Sequence, residues 1–449
     1  MKLNWFSPLP PAKTDIAHYT MRVLPELARL AEVTLWTDQR DWDASLQKHA
    51  EVRSFRLRRM PWSELNRADA CFYQIGNNPS FHGAIWQVSR LHAGVIVLHD
   101  FSLHHFFDGF YRVKWRDLDS YLAVMEAYYG EEGRRDAAES YHNEARNIGY
   151  MAERYPLTRL AVENALGVVL HTQESFDTLS RSAQWPVVYA PLPFASEAIS
   201  SQRPRDTGPP YRLIVFGYIG RNRRLDSLLQ ALAELPERAK FHLDIYGEIL
   251  DGEDQLRSQL RMLDLKRQVT LHGFTSEARL DQALTEAHLA INLRYPTMGE
   301  ASGSQLRIWA HGLPSLVSRI GWYAALPPEA VAFVRTDGNE VMDIQHHLRA
   351  FLASSEAFAA MGERGRRQLE EHHSCEQYAK TIVEMARRSG EFRACAASLK
   401  LAEHAGILLS EWLGAKAIAE SGANVAREIL EFGVTSTSNK LKLPVTGNK

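Results

Sequence analysis

Two turns in this chain, each joining an apolar run to a helical pattern, hold the residues best suited to grip an anion. In FGYIGRNRRLDSLL, Gly217 and Gly220 lie between a strand-like run and a helix and are followed by Arg221, Arg223 and Arg224. Glycine lets the backbone approach a phosphate, and guanidinium groups grip one bidentately. The bland alternative is a solvated charge run ahead of a helix. In LRYPTMGEASGSQLRIWAHGLPSLVS a strand ends near Arg294, a loop with Pro296 and Gly299 leads to Glu300, and Ser302, Gly303 and Ser304 open a helix that stops at Gly312 and Pro314. Small residues at a helix start expose amide N–H groups, and the helix dipole favours a diphosphate there. Ser302 or Ser304 would serve equally as a plain N-cap. Glu300 would be only a favourable charge at the positive helix end, or it would hold hydroxyl groups of a sugar beside the phosphates.

The first half places polar residues where apolar runs end. FSPLPPAKTDIAHYT brings Asp15 and His18 to a helix start, while YQIGNNPSFH and VIVLHDFSLHH add Gly76, Asn77, Asn78, His82, His99, Asp100 and His104. Any one of these histidines alone is more often a satisfied structural group. Three such strand ends together point to a rim facing a second substrate. Asp117 and Asp119 form an Asp-x-Asp, a spacing that can hold Mg²⁺ or Mn²⁺ against a diphosphate. They fall in a helical stretch, however, where residues two apart do not share a face.

The elements that must position these groups alternate between strand and helix, the pattern of a parallel sheet. Strands are expected at Leu3 to Phe6, Val33 to Trp36, Ala70 to Gln74, Val95 to His99, Gly167 to His171 and Val187 to Tyr189, with two or three helices between Arg116 and Asn164. Periodicity stops in SEAISSQRPRDTGPP and restarts with YRLIVFGYIG, after which FHLDIYG, QVTLHGF, LAINLR and LPSLVS read as further strands. This divides the chain into a Rossmann-like domain at 1–198, a linker at 199–210, a second Rossmann-like domain at 211–388 and a helical tail with a disordered end at 389–449. Ligands of open α/β sheets bind beyond the carboxyl ends of the strands, so two facing domains define one cleft.

With 449 residues, each domain has ample core. The net charge of -2 carries no nucleic-acid footprint. Cys71, Cys375 and Cys395 are too far apart for a disulfide framework or a cysteine zinc site, which suits a reducing compartment. The start MKLNWFSPLPP lacks a signal-peptide core, and no apolar run approaches a membrane span. A cytoplasmic protein, soluble or peripheral, is expected.

The phrases SPLPPAKTDIAHY, QIGNN, VLHD, FGYIG with RRLD, LHGF, and LRYPTMGEASGSQLR with HGLPSLVS resemble family 4 of the retaining GT-B glycosyltransferases, in order, over roughly residues 1–388. The resemblance implies an α/β GT-B fold: two Rossmann-like domains facing across a cleft, an N-terminal acceptor-binding domain, a C-terminal donor-binding domain and a helical extension. A last helix near His372 to Met385 would cross back to the N-terminal domain. Carried over by position, Arg223 stands where the family usually has a lysine on the donor phosphates. Glu300 stands at the first glutamate of a Glu-x7-Glu element that holds donor-sugar hydroxyls. Gly303, Ser304 and Gln305 fall on the phosphate-binding helix start, and His99 matches a strand-end histidine near the transferred sugar.

Three positions depart from the pattern. Arg307, or Ile308 by forward count, stands where a second glutamate would hold the ribose. Tyr218 replaces an arginine, and Asp15 a glycine. Within this frame His99, Glu300 and Arg223 are the expected catalytic residues. Gly217, Gly220, Arg221, Arg224, Ser302, Gly303, Ser304 and Gln305 are expected to bind the donor, and Asp15, Asn77, Asn78, His82 and Asp100 the acceptor.

The implied activity is retaining, metal-independent transfer of a sugar from a nucleotide-diphosphate donor to a glycan or lipid-linked acceptor in polysaccharide or glycoconjugate synthesis. No cofactor is expected beyond that donor. The implied partners are the nucleotide sugar and the acceptor, without nucleic acid, and with room for peripheral membrane contact and homo-oligomerisation through the tail. The alternatives are a catalytically weak nucleotide-sugar-binding or assembly partner, and a nucleotide-sugar epimerase of related fold.

Overall fold

The computed structural model describes residues 1–140, 146–182, 184–195, 208–250, 252–393 and 396. Most of the expected linker and nearly all of the expected tail lie outside the described residues.

Among the described residues thirteen strands form two sheets, and every pairing in them is parallel. The first sheet contains β1 (Lys2–Phe6), β2 (Glu32–Thr37), β3 (Glu51–Ser54), β4 (Ala70–Ile75), β5 (Val95–Leu98), β6 (Gly167–Leu170) and β7 (Val187–Tyr189), in the order β3-β2-β1-β4-β5-β6-β7. The second contains β8 (Tyr211–Phe216), β9 (Phe241–Tyr246), β10 (Val269–Gly273), β11 (Leu289–Asn292), β12 (Ser315–Ser318) and β13 (Ala332–Val334), in the order β10-β9-β8-β11-β12-β13. Two of the central strands covered by helices on both faces are apolar throughout. VIVL of β5 and GVVL of β6 are fully buried, which is why they read clearly in sequence.

The two strands that escaped the sequence reading, β3 and β13, both lie at sheet edges. EVRS of β3 is charged and half-exposed, as edges commonly are. The stretch expected to hold two or three helices forms them at Leu118–Glu139, Ile148–Arg154 and Thr158–Val162, the first broken at Gly130.

The two domains share a core. Trp5 and Tyr19 of the first domain, Leu306, Trp309 and Tyr323 of the second, and Tyr378 of the helix Cys375–Arg387 belong to one buried apolar cluster. That last helix crosses back onto the helix Asp15–Leu30, where the hydroxyls of Tyr19 and Tyr378 meet at 2.6 Å. The turn before it is tied down twice. His373 Nδ1 donates to the Leu192 carbonyl at 2.7 Å, and Phe194 N–H donates to the His373 carbonyl at 2.8 Å.

Packing continues past the boundary expected at 388. Ser389 Oγ donates to the Asp69 carbonyl at 2.9 Å, and Phe392 is 4% exposed. A chain ending at Arg388 is therefore expected to be less stable than one ending at Arg393, by ~3–5 kcal/mol for the lost phenylalanine burial. Thermal melts of the two truncated chains compare this directly, and equal midpoints would refute it.

Candidate active site

β8 delivers the chain to Gly217, whose φ of 102° is open to glycine and strained for other residues. The short 3₁₀ turn Arg221–Arg223 then folds Arg223 back under the strand end, leaving it 6% exposed. Its Nη1 donates to Asn292 Oδ1 at 2.8 Å and its Nε to the Tyr218 carbonyl at 3.3 Å. The remaining Nη2 faces Gly217: a Cβ built there would lie 2.9 Å from Nη2 and 3.8 Å from Ser304 Oγ. The strand end, the buried guanidinium and the start of the helix Gly303–Ala310 thus converge on one small space. Burial, with Arg294 adding to it, pushes the Arg223 pKa down to about 10, so the group stays cationic at neutral pH.

The helix start divides its labour. Ser302 is the N-cap, its Oγ accepting from Gln305 N–H at 3.1 Å, while the amides of Gly303 and Ser304 belong to the turn that has no intrahelical acceptor. The Gln305 side chain turns inward, accepting from Asn292 Nδ2 at 3.0 Å and donating to Ser315 Oγ at 2.8 Å. Asn292 therefore links Gln305 to Arg223 and fixes the guanidinium. Gly220, extended at φ -102°, leads into the turn, and Arg221 is exposed. Arg224 is directed elsewhere: its Nε donates to both Glu340 carboxylate oxygens at 2.9 Å, and its ring neighbour is Tyr295.

Glu300 is held from three sides. Its Oε2 accepts from Thr297 Oγ1 and from Met298 N–H, both at 2.7 Å, and its Oε1 lies 3.4 Å from Arg294 Nε. The same loop docks on the first domain, because the Met298 carbonyl accepts from Phe101 N–H and Ser102 N–H at 2.8 Å each. Gly299, at φ 77°, permits this approach, since a Cβ there would sit 2.6 Å from Phe101 Cβ. The contact sets Glu300 near Asp100, across the cleft. Asp100 Oδ2 accepts from Asn77 N–H at 2.7 Å; burial first, and then the Glu300 charge, push its pKa up to about 7. Asp15, exposed in the first turn of its helix, acts electrostatically on Asp100, Arg223 and Arg294.

The histidines and asparagines of the first domain separate into two kinds. His99 is buried, with Nε2–H donating to Gln74 Oε1 at 2.9 Å and its ring 4.7 Å from Tyr19 and 5.0 Å from His171. Burial, then His171 and His82, keep it neutral well below the usual histidine range. His82 donates from Nδ1 to the Gln74 carbonyl at 2.9 Å and turns Nε2 toward Gly76, as Asp100 turns Oδ2. Asn77 and Asn78 have structural partners: Asn77 Oδ1 accepts from Phe106 N–H at 2.9 Å, and Asn78 caps the helix Pro79–Leu91 through Ser80 N–H. His104 points inward to the Tyr155 carbonyl and Tyr121 Oη. His18 has a buried Nδ1 without a hydrogen-bond partner among the described residues. Asp117 caps the helix that follows it, both oxygens occupied by Ser120.

Arg294, Tyr323 and Asn292 were not among the expected site residues. The first stands at the end of the apolar run LAIN, an arginine where a strand enters the cleft, and that position was its only local signal. At the position of the missing second glutamate, Arg307 pairs with Glu277 and Asp281, each at 2.7 Å, and Ile308 is fully buried. Neither places a carboxylate in the cleft.

Asp100 gives a stability test. Its folded-state pKa of about 7 lies above the ordinary 3.8, so the folded form holds a proton that the unfolded form releases first. Stability from this group is present below about pH 4, falls as pH rises toward 7 and is constant above. Asp100→Asn, which keeps an oxygen for Asn77 N–H, should raise stability on the order of 2 kcal/mol at alkaline pH and little at acid pH. Denaturant midpoints at the two pH values check this, and an equal effect at both would refute it.

Residues 196–368 match the family described as glycosyl transferases group 1. Among curated sequences none is significantly similar. Solved structures with the same fold include sucrose-phosphate synthase from Thermosynechococcus elongatus, at 15% identity and TM-score 0.59, covering 86% of this chain and 98% of that one. HepE of Anabaena in complex with UDP-glucose aligns at 13% identity and TM-score 0.56, covering 86% and 98%. WaaG, a glycosyltransferase involved in lipopolysaccharide biosynthesis, aligns at 15% identity and TM-score 0.53, covering 85% and 99%. The chain thus has the two-domain GT-B fold, and the stretch 196–368, which includes most of its second domain, is similar to the glycosyl transferases group 1.

Proposed function

We propose that this chain transfers a sugar from a nucleotide-diphosphate donor to an acceptor hydroxyl with retention at the anomeric carbon. The observation that carries the reading is the convergence of the buried Arg223, through Nη2, with the part-exposed Gly217 and Ser304 on one small space. It offers a fixed cation, a close backbone approach and helix-start amides, which together suit a diphosphate. HepE, which shares the fold, binds UDP-glucose.

In this reading Glu300 holds hydroxyls of the donor sugar, while His99, Asp100 and Asp15 face the acceptor. The acceptor oxygen attacks the anomeric carbon on the face from which the diphosphate departs. The new C–O bond forms as the bond to the diphosphate oxygen breaks, and the hydroxyl proton passes to that departing oxygen. Negative charge grows on the diphosphate during this step. Arg223 and the helix start oppose it without rearranging, which is the most effective form of electrostatic catalysis.

Calorimetry against UDP-, GDP- and dTDP-sugars tests the donor assignment, and NMR of the product anomer tests retention. An inverted anomer would end the retaining reading, and donor binding without turnover would favour a non-catalytic sugar-binding role. The positive groups already at the diphosphate space also predict that activity survives excess EDTA and the double change Asp117→Ala with Asp119→Ala. Loss in EDTA that Mn²⁺ restores, in protein still folded, would overturn the metal-free step.

A further inference from the structure

One face of the first domain concentrates positive charge in a chain whose net charge is -2. RSFRLRRM (residues 53–60) carries four arginines and no acid, and GFYRVKWR (109–116) carries three cations and no acid. Both segments pack against the helix Pro79–Leu91, so they form one surface. Some of this charge is matched: Arg53 pairs with Glu64, and Arg112 with Asp108. Arg58, Arg59, Lys114 and Arg116 are exposed, and among the described residues they form no ion pair with an acid. Of the other nearby acids, Asp117 is occupied by Ser120, Asp119 is exposed, and the half-buried Asp38 feels the charges of both Lys114 and Arg56, which brings the two basic segments together.

The same face exposes large apolar groups. Val113 is 73% exposed, and Trp115 and Leu118 are about 40% exposed. Val113 and Trp115 ride on the π-helical segment Gly109–Trp115, which ends at Arg116 in a left-handed turn, and Leu118 opens the helix Leu118–Glu139 just beyond it. An open hollow of about 300 Å³, lined by Arg112, Val113, Arg116 and Leu118 with Asp108, lies among them. Cations interleaved with a tryptophan and aliphatic side chains suit a surface that is anionic at its headgroups and apolar beneath. Among the described residues no helix is long and apolar enough to cross a membrane, so attachment here would be peripheral.

We propose that this face docks on a bilayer containing anionic lipid, with Val113 and Trp115 at the acyl boundary and Arg58, Arg59, Lys114 and Arg116 on the headgroups. The segment follows the helix His104–Asp108, which itself follows Asp100, so docking would hold the cleft rim of the first domain close to the lipid surface.

The test is sedimentation of the full chain with vesicles of phosphatidylcholine and phosphatidylglycerol, against vesicles of phosphatidylcholine alone, at low and at molar salt. The chain should pellet with the anionic vesicles only, and release in salt. Arg58→Glu with Arg59→Glu should lower partitioning at least roughly thirtyfold, at about fivefold per cation. Val113→Ser should lower it about tenfold while leaving the salt dependence in place. All three positions are exposed, so melting temperatures should not change. Failure to pellet, equal binding to neutral vesicles, or variants that bind as the parent does would each overturn the proposal. Salt-sensitive binding to an oligonucleotide with none to vesicles would reassign the face to nucleic acid.

Discussion

Replacing Arg223 by alanine should weaken binding of a nucleoside diphosphate roughly ten- to a hundredfold, the loss of one charge-assisted hydrogen bond worth ~1.5–3 kcal/mol. The size follows from where the group sits. Two of its nitrogens are committed to Asn292 and to the Tyr218 carbonyl, so the third is already aimed at the space beside Gly217 and Ser304. A ligand there would not have to immobilise a flexible side chain. The free protein should also lose some stability, because Asn292 Oδ1 and the Tyr218 carbonyl lose their donor, offset in part by the relief of repulsion with Arg294. Arg224→Ala provides the contrast. It strips the partner from the buried Glu340 carboxylate and should lower the melting temperature while leaving nucleotide affinity nearly unchanged. Calorimetry with a nucleoside diphosphate and thermal melts on both variants decide the matter. Parental affinity in Arg223→Ala would remove the phosphate site from this turn.

These neighbouring arginines mark the limit of what was legible beforehand. The architecture could be read because parallel strands buried on both faces are written as unbroken apolar runs, such as those of β5 and β6. Of the edge strands, β3 has the charged, half-exposed EVRS, and β13 is apolar but only three residues long, too short for a pattern to stand out. In the cleft, the local devices were readable: a glycine at positive φ after β8, and small residues opening the helix at Gly303.

Partnerships across long sequence separations were not readable. Arg221, Arg223 and Arg224 were all expected beside the donor, Arg223 as a catalytic residue, yet the fold leaves the first exposed, buries the second on Asn292 and pairs the third with a glutamate 116 residues away. Asn78, Ser302 and Gln305 look like ligand-binding groups in a strand-end loop, but two are caps and the third has its amide inside the protein. Arg294 was passed over because a single arginine after a strand looks like any solvated charge. Its buried place between Tyr323 and Glu300 comes from β11 lying beside β8 and β12.

Glu300 is where the two domains meet chemically, and Glu300→Gln should separate sugar handling from nucleotide binding. The amide oxygen can still accept from Thr297 Oγ1 and Met298 N–H, so the loop should keep its shape. What disappears is the negative charge beside Arg294 and, in the proposed reading, the charge-assisted hold on donor-sugar hydroxyls. Turnover should fall roughly ten- to a hundredfold, whereas affinity for the free nucleoside diphosphate, which lacks the sugar, should change by less than about threefold. A second readout lies across the cleft. Glu300 is the next cause after burial of the raised Asp100 pKa, so removing its charge should let Asp100 ionise at lower pH. The decline of stability with rising pH should then end below the value of about 7 set by the parent. If the free nucleotide loses as much affinity as the intact donor does, Glu300 is acting on the phosphates and its sugar role is wrong. If the pH profile does not move, the approach of the loop 297–300 to Asp100 fails as well.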